Sequence, residues 1–138
     1  MPAKACPVVI RTINGCLEVL AFRHPLAGKQ YVKGTIEKGE TVKQACEREL
    51  FEEAGLVGEA KNYLGQAFVQ SHKLTYGFYL MSVDAVIPNV FNHFCEDDGG
   101  HVFEFFWHPL HSTLDENWHP IFHEIHEYFK NILSLRAI

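Results

Sequence analysis

The sequence has no excess of positive charge, no closely paired cysteines and no long apolar run, and each absence narrows what it can be. Lys and Arg number 12 against 17 Asp and Glu, a formal charge of −5 with neutral His. A chain of that sign does not grip nucleic acid through a broad basic field, so no nucleic-acid partner is expected. Four cysteines, Cys6, Cys16, Cys46 and Cys95, include no C-x-x-C pair. Reduced, mostly buried thiols are expected rather than a disulfide framework. The opening MPAKACPVVIRTING lacks the apolar run and small-residue cleavage site of a secretory signal, which predicts a cytoplasmic location. The longest uncharged apolar stretch near the middle, Leu74 to Val83, is about half what a membrane-spanning helix needs, so no membrane partner is expected. Repeats, low-complexity tracts and linkers are also missing, and residues 1–138 read as a single domain.

What is present suits a packed core: 47% of residues are hydrophobic and 13% aromatic. PVVIRTI and CLEVLAFR, joined by Asn14-Gly15, read as a β-hairpin over residues 7 to 23, because both turn residues tolerate positive φ. HPLAGKQ reads as a turn and YVKG as a short segment. Thr41, with Gln44 three residues on, forms the capping-box signature of a helix from Val42 that stops at Gly55. LGQAFVQ and LTYGFYLMSVDAV read as strands, the second apolar enough to lie centrally with both faces covered. The stretch IPNVFNHFCEDDGGH reads as a loop, and HVFEFFWHPL as a strand ending at Pro109. Pro120 to about Leu135 reads as a helix with Ile121, Ile125, Phe129 and Ile132 or Leu133 on one stripe. Strands flanking one helix, with a second helix at the end, predict an α/β sandwich with helices on both faces.

The informative segment is Gly34 to Leu56, GTIEKGETVKQACERELFEEAGL. On a helix, Glu49, Glu52 and Glu53 stand at i, i+3 and i+4 and share one face, with Cys46, Leu50 and Ala54 beside them as a buried stripe. Like charges so placed cost a few tenths of a kcal/mol per pair, and a divalent cation reverses the sign, since carboxylate oxygens suit Mg²⁺ or Mn²⁺. A solvated acidic face is the plainer alternative. The neighbours argue against it: Arg48 can pair with Glu52 one turn on, Glu40 precedes the cap, and Gly34 and Gly39 flank a loop that brings backbone carbonyls to the helix.

The segment resembles the Nudix box, G-x5-E-x7-R-E-U-x-E-E-x-G-U with U aliphatic, through Gly34, Glu40, Arg48, Glu49, Leu50, Glu52, Glu53, Gly55 and Leu56. The resemblance implies a Nudix-type α/β/α sandwich with a mixed central β-sheet. It also implies metal-dependent attack of water on the pyrophosphate of a nucleoside diphosphate derivative, a small-molecule substrate, by a monomer or homodimer. By position, the resemblance makes Glu52, Glu53 and the Gly34 carbonyl ligands for Mg²⁺ or Mn²⁺, Glu49 a metal ligand or the base that activates water, Arg48 an orienting group, Glu40 a structural brace of the loop or a contact to the metal through water, and Gly55 structural. One further acid from a loop is implied, with Glu96 favoured over Asp97, Asp98 and Glu104. The alternative is a non-catalytic nucleotide-binding regulator on the same fold. Ser71 stands where ADP-ribose hydrolases carry proline, and VKGTIEKGE resembles the PKGHxExGE stretch of diadenosine polyphosphate and diphosphoinositol polyphosphate hydrolases, with Val32 in place of its proline.

Weaker signals remain. Arg23, Lys29 and Lys33 are candidates to bind substrate phosphates. His119, His123 and His126 fall at i, i+4 and i+7 of the last helix, a spacing that can hold a metal, but an exposed polar face is the reading preferred. Phe22, Tyr31 and Tyr76 are candidate exposed rings for stacking on a base.

Overall fold

The computed structural model describes residues 1–136. Its elements run β1 (Lys4–Val8), β2 (Ile10–Ile13), β3 (Cys16–His24), β4 (Gly28–Tyr31), β5 (Gly34–Thr35), α1 (Val42–Ala54), β6 (Gly58–Val69), β7 (Leu74–Val83), β8 (Phe91–Cys95), β9 (His101–Pro109) and α2 (Pro120–Arg136), with a short 3₁₀ turn at Asp97–Gly99. The strands form two sheets. One is mixed, in the order β5-β1-β7-β6, with β1 parallel to β7 and the other pairs antiparallel. The other is antiparallel, in the order β2-β3-β9-β8, with β4 also on β3.

Strand alternation explains why helices lie on both sides. Along β3, Val19 and Ala21 join one core cluster while Leu20 and Phe22 join the other. The first cluster holds Ile121, Phe122, Ile125 and Phe129 of α2, and the second holds Ala45, Cys46, Leu50 and Ala54 of α1. This is the expected α/β/α arrangement with a mixed sheet, although the strands divide between two sheets rather than forming one. Cys6, Cys46 and Cys95 are buried and Cys16 is exposed, all four unpaired. No helix among the described residues is long and apolar enough to cross a membrane.

Three local readings change. The hairpin is shorter than 7–23, because Pro7 and Val8 pair with β7 in the other sheet; its turn is as expected, with Asn14 and Gly15 at φ 51° and 78°. Part of the turn read over HPLAGKQ is strand β4. Phe91–Cys95, read as loop, is an edge strand on β9.

Candidate active site

Helix α1 begins where its capping box demands. Thr41 Oγ1 accepts from the Gln44 amide at 3.1 Å, and Gln44 Oε1 accepts from the Thr41 amide at 2.9 Å. It ends at Gly55, with φ 71°, where a Cβ would strike the His93 ring. The buried stripe of Cys46, Leu50 and Ala54 fixes the rotation of the helix, which turns Glu49, Glu52 and Glu53 toward β5 and the loop that follows it.

Arg48 ties that loop to the helix. Its Nε and Nη2 donate to Glu40 Oε2 and Oε1 at 2.7 and 2.8 Å, its Nη1 donates to Glu49 and Glu52 at 2.7 and 2.8 Å, and its Nη2 also reaches the Thr35 carbonyl at 2.9 Å. Glu40 Oε1 additionally accepts from the Glu37 amide at 3.0 Å. The Arg48 guanidinium pushes the Glu40 carboxyl down to about 2.

A cavity of about 520 Å³ opens there, walled by Gly34, Glu49, Glu52, Glu53, Asp97 and Asp98, with Lys4 and Lys33 at its margin. Glu49 is buried at 6% exposure and Glu53 is half-buried. Burial raises the pKa of both, most strongly for Glu53, which Glu49 raises further by like charge. A Cβ at Gly34 would collide with the Glu49 carboxyl, so only glycine lets strand β5 approach this helix. Among the described residues no three His, Cys, Asp or Glu side chains converge tightly enough to hold an ion as they stand. Arg48 takes up oxygens of Glu49 and Glu52 instead. The donor chemistry nonetheless fits a hard divalent cation: every donor is oxygen, and crowded, desolvated carboxylates disfavour their own ionisation unless positive charge joins them.

Of the other candidates, Lys33 lies at this cavity and Arg23 and Lys29 lie elsewhere. Arg23 is 3.9 Å from Glu104 across β3 and β9, and Lys29 is 3.6 Å from Asp115. Glu96 walls a neighbouring cavity rather than this one, whereas Asp97 and Asp98 face the glutamates. Two further residues stand beside the site. Lys4 arrives because β1 pairs with β5, setting Lys4 opposite Thr35, and its Nζ donates to Thr35 Oγ1 at 2.7 Å. His93, on the unforeseen β8, sits 3.2 Å from the Glu52 carbonyl. Neither carries a local sequence signal, since both depend on distant pairing.

Two expectations fail. Phe22, Tyr31 and Tyr76 are 1%, 1% and 0% exposed, so none can stack on a base. His126 is buried at 3% exposure and hydrogen-bonds Tyr31 Oη through Nδ1 at 2.8 Å, because the apolar stripe of α2 extends to Phe122 and encloses it.

The family model of the NUDIX domain matches residues 2–129. No curated protein sequence gives a significant match. The fold is similar to that of an ADP-ribose pyrophosphatase from Streptococcus suis (15% identity, covering 96% of this chain and 90% of that one, TM-score 0.66). It is also similar to a MutT protein from Methanosarcina mazei Go1 (18%, 94% and 93%, 0.64) and to a C. elegans Ap4A hydrolase in a binary complex (19%, 95% and 98%, 0.64). With the family match spanning nearly the whole chain and the box glutamates gathered at one cavity, the chain belongs to the Nudix hydrolase family.

Proposed function

We propose that the chain is a Mg²⁺- or Mn²⁺-dependent hydrolase cleaving the pyrophosphate linkage of a nucleoside diphosphate derivative: a nucleoside triphosphate, a dinucleoside polyphosphate or a nucleotide sugar. One observation carries this reading: Glu49, Glu52, Glu53 and Asp97 share a cavity with Lys4 and Lys33. Acids alone would repel a phosphate, and lysines alone would not activate water.

Glu52, Glu53, Glu49 and the Gly34 carbonyl would hold the metal, which when bound supplies charge neutralisation of the phosphates and a more acidic water. The chain's own residues divide the remaining work. Glu49, buried and with a raised pKa, is suited to take the proton of the attacking water. Arg48 fixes the rotamers of Glu49 and Glu52, and Glu40 fixes Arg48. Lys4 and Lys33 can meet the outer phosphate oxygens, which explains how an acidic protein accepts an anion. Four unpaired thiols suit a reducing cytoplasm.

The test is a panel of nucleoside triphosphates, dinucleoside polyphosphates, nucleotide sugars and ADP-ribose, each with Mg²⁺, Mn²⁺ or a chelator. At least one class is expected to yield a nucleoside monophosphate with either metal, and the chelator to stop it. A folded, metal-supplemented protein that leaves the whole panel intact would falsify the reading.

A further inference from the structure

Beside the carboxylate cavity lies a second one of about 360 Å³, lined by Phe51, Glu52, His93, Phe94, Glu96 and Asp97 among others. We propose that this cavity is a stacking subsite for a nucleobase, and that it directs the enzyme toward substrates with a base at each end of the polyphosphate, the dinucleoside polyphosphates. The proposal rests on the pyrophosphatase reading above.

Four observations support it. First, Phe51 and Phe94 are 57% and 58% exposed. Rings of the same sheet pack on one another, Phe22 on Phe103 and Phe91 on Phe105, whereas Phe51 and Phe94 stack on no ring among the described residues. Large exposed aromatics at the mouth of a cavity gain most when a flat partner covers them.

Second, the cavity adjoins the phosphate site, since Glu52 and Asp97 wall both. A ring seated there lies beside the place where the phosphates of the same molecule would meet the glutamates.

Third, its rim is acidic. The carboxylates of Glu52, Glu96 and Asp97 repel a further phosphate and accept hydrogen bonds, which selects an uncharged ring bearing N–H donors. An amino-substituted base meets both conditions, and a sugar phosphate meets neither.

Fourth, the walls are held in place. His93 packs where a Cβ at Gly55 would lie and meets the Glu52 carbonyl, while a Cβ at Gly100 would come within 2.6 Å of the Phe94 ring. A preorganised slot loses little entropy on binding.

The central cavity has a neighbour on another side as well. It shares Lys33 and Glu53 with a cavity of about 210 Å³, which in turn shares Gln30 and Lys33 with one of about 370 Å³ bordered by His72, His119 and Phe122. Cavities on two sides of one phosphate site fit a two-armed substrate, and the exposed rings of one cavity fit a second end that carries a base.

The test compares diadenosine tetraphosphate with ATP, using Mg²⁺ and the full chain carrying Phe51→Ala, Phe94→Ala, both, or both as Tyr. Stacking of one base predicts that the ratio of kcat/KM for the dinucleotide to that for ATP falls about 5- to 100-fold in the double Ala variant, through KM, and recovers with Tyr. A ratio that does not move, or a wild type that cleaves ATP and ignores the dinucleotide, overturns the subsite but leaves the pyrophosphatase reading intact. If neither is cleaved, calorimetric titration with diadenosine tetraphosphate decides. Binding lost in the double Ala variant supports the subsite; equal binding, or none to the wild type, overturns it.

Discussion

Arg48 holds Glu40 by two parallel hydrogen bonds, Nε to Oε2 at 2.7 Å and Nη2 to Oε1 at 2.8 Å, across the loop that separates strand β5 from helix α1. The same guanidinium reaches Glu49 and Glu52 with Nη1. A single planar group thus sets the distance between the loop and the acidic face of the helix, a geometry that the point charge of lysine does not reproduce.

Replacing either partner should therefore disturb both stability and turnover. Arg48→Lys and Glu40→Gln are each expected to lower unfolding stability by about 1–3 kcal/mol, the cost of losing charge-assisted hydrogen bonds in a half-buried site. Both should reduce kcat at least tenfold with a smaller change in KM. Urea unfolding and steady-state kinetics on the same preparations separate the two effects; unchanged kcat in both variants would remove Arg48 from the machinery.

The loop acids should rank by position. Asp97 faces the glutamates and Glu96 does not, so Asp97→Asn is expected to depress kcat at least tenfold more than Glu96→Gln on a nucleoside triphosphate. Glu49→Gln should be the most severe, about 10²- to 10⁴-fold, as befits a lost general base. The reverse order for the two loop acids would show that Glu96 reaches the site by a rearrangement.

His126 makes the fold sensitive to mild acid. Burial, followed by the nearby His108 and Lys130 charges, pushes its pKa down to about 4. Its Nδ1 is bonded to Tyr31 and its Nε2 has no partner among the described residues. The folded protein therefore binds a proton at this site less readily than the unfolded chain, whose histidine titrates near about 6.5. Stability from the neutral ring is fully present above that pH and is lost as pH falls from about 6.5 toward 4, by no more than about 3 kcal/mol. Urea midpoints measured from pH 7 to 4 should fall less steeply in His126→Gln than in the wild type. Parallel profiles would place the acid sensitivity elsewhere.

The parts legible in the sequence are those fixed by neighbours along the chain. Thr41, Gln44 and Gly55 bound α1 through contacts within a few residues, and Asn14-Gly15 turns the hairpin by its own backbone preference. Strand β8 was not legible because Phe91–Cys95 alternates weakly and gains its hydrogen bonds only from β9. The burial of His126 is not legible from spacing alone, because the apolar face of α2 made by Phe122, Ile125, Phe129 and Leu133 is wider than the stripe through Ile121, Ile125 and Phe129. Rings such as Tyr31 and Tyr76 carry no mark of burial in their identity; it is decided by packing in the core cluster that also holds the apolar face of α2.

The net acidity of the chain has a local counterpart and a long-range one. Helical periodicity makes Glu49, Glu52 and Glu53 neighbours wherever the helix lies, so their gathering on one face is a local property of the chain. What accompanies them is set by the packing of distant segments. Lys4, 45 positions before Glu49, is brought to the cavity by the pairing of β1 with β5, and the 3₁₀ turn sets Asp97 rather than Glu96 toward the glutamates. Those placements depend on strand register and chain reversal, which act between residues far apart in sequence and so leave no periodic trace in it.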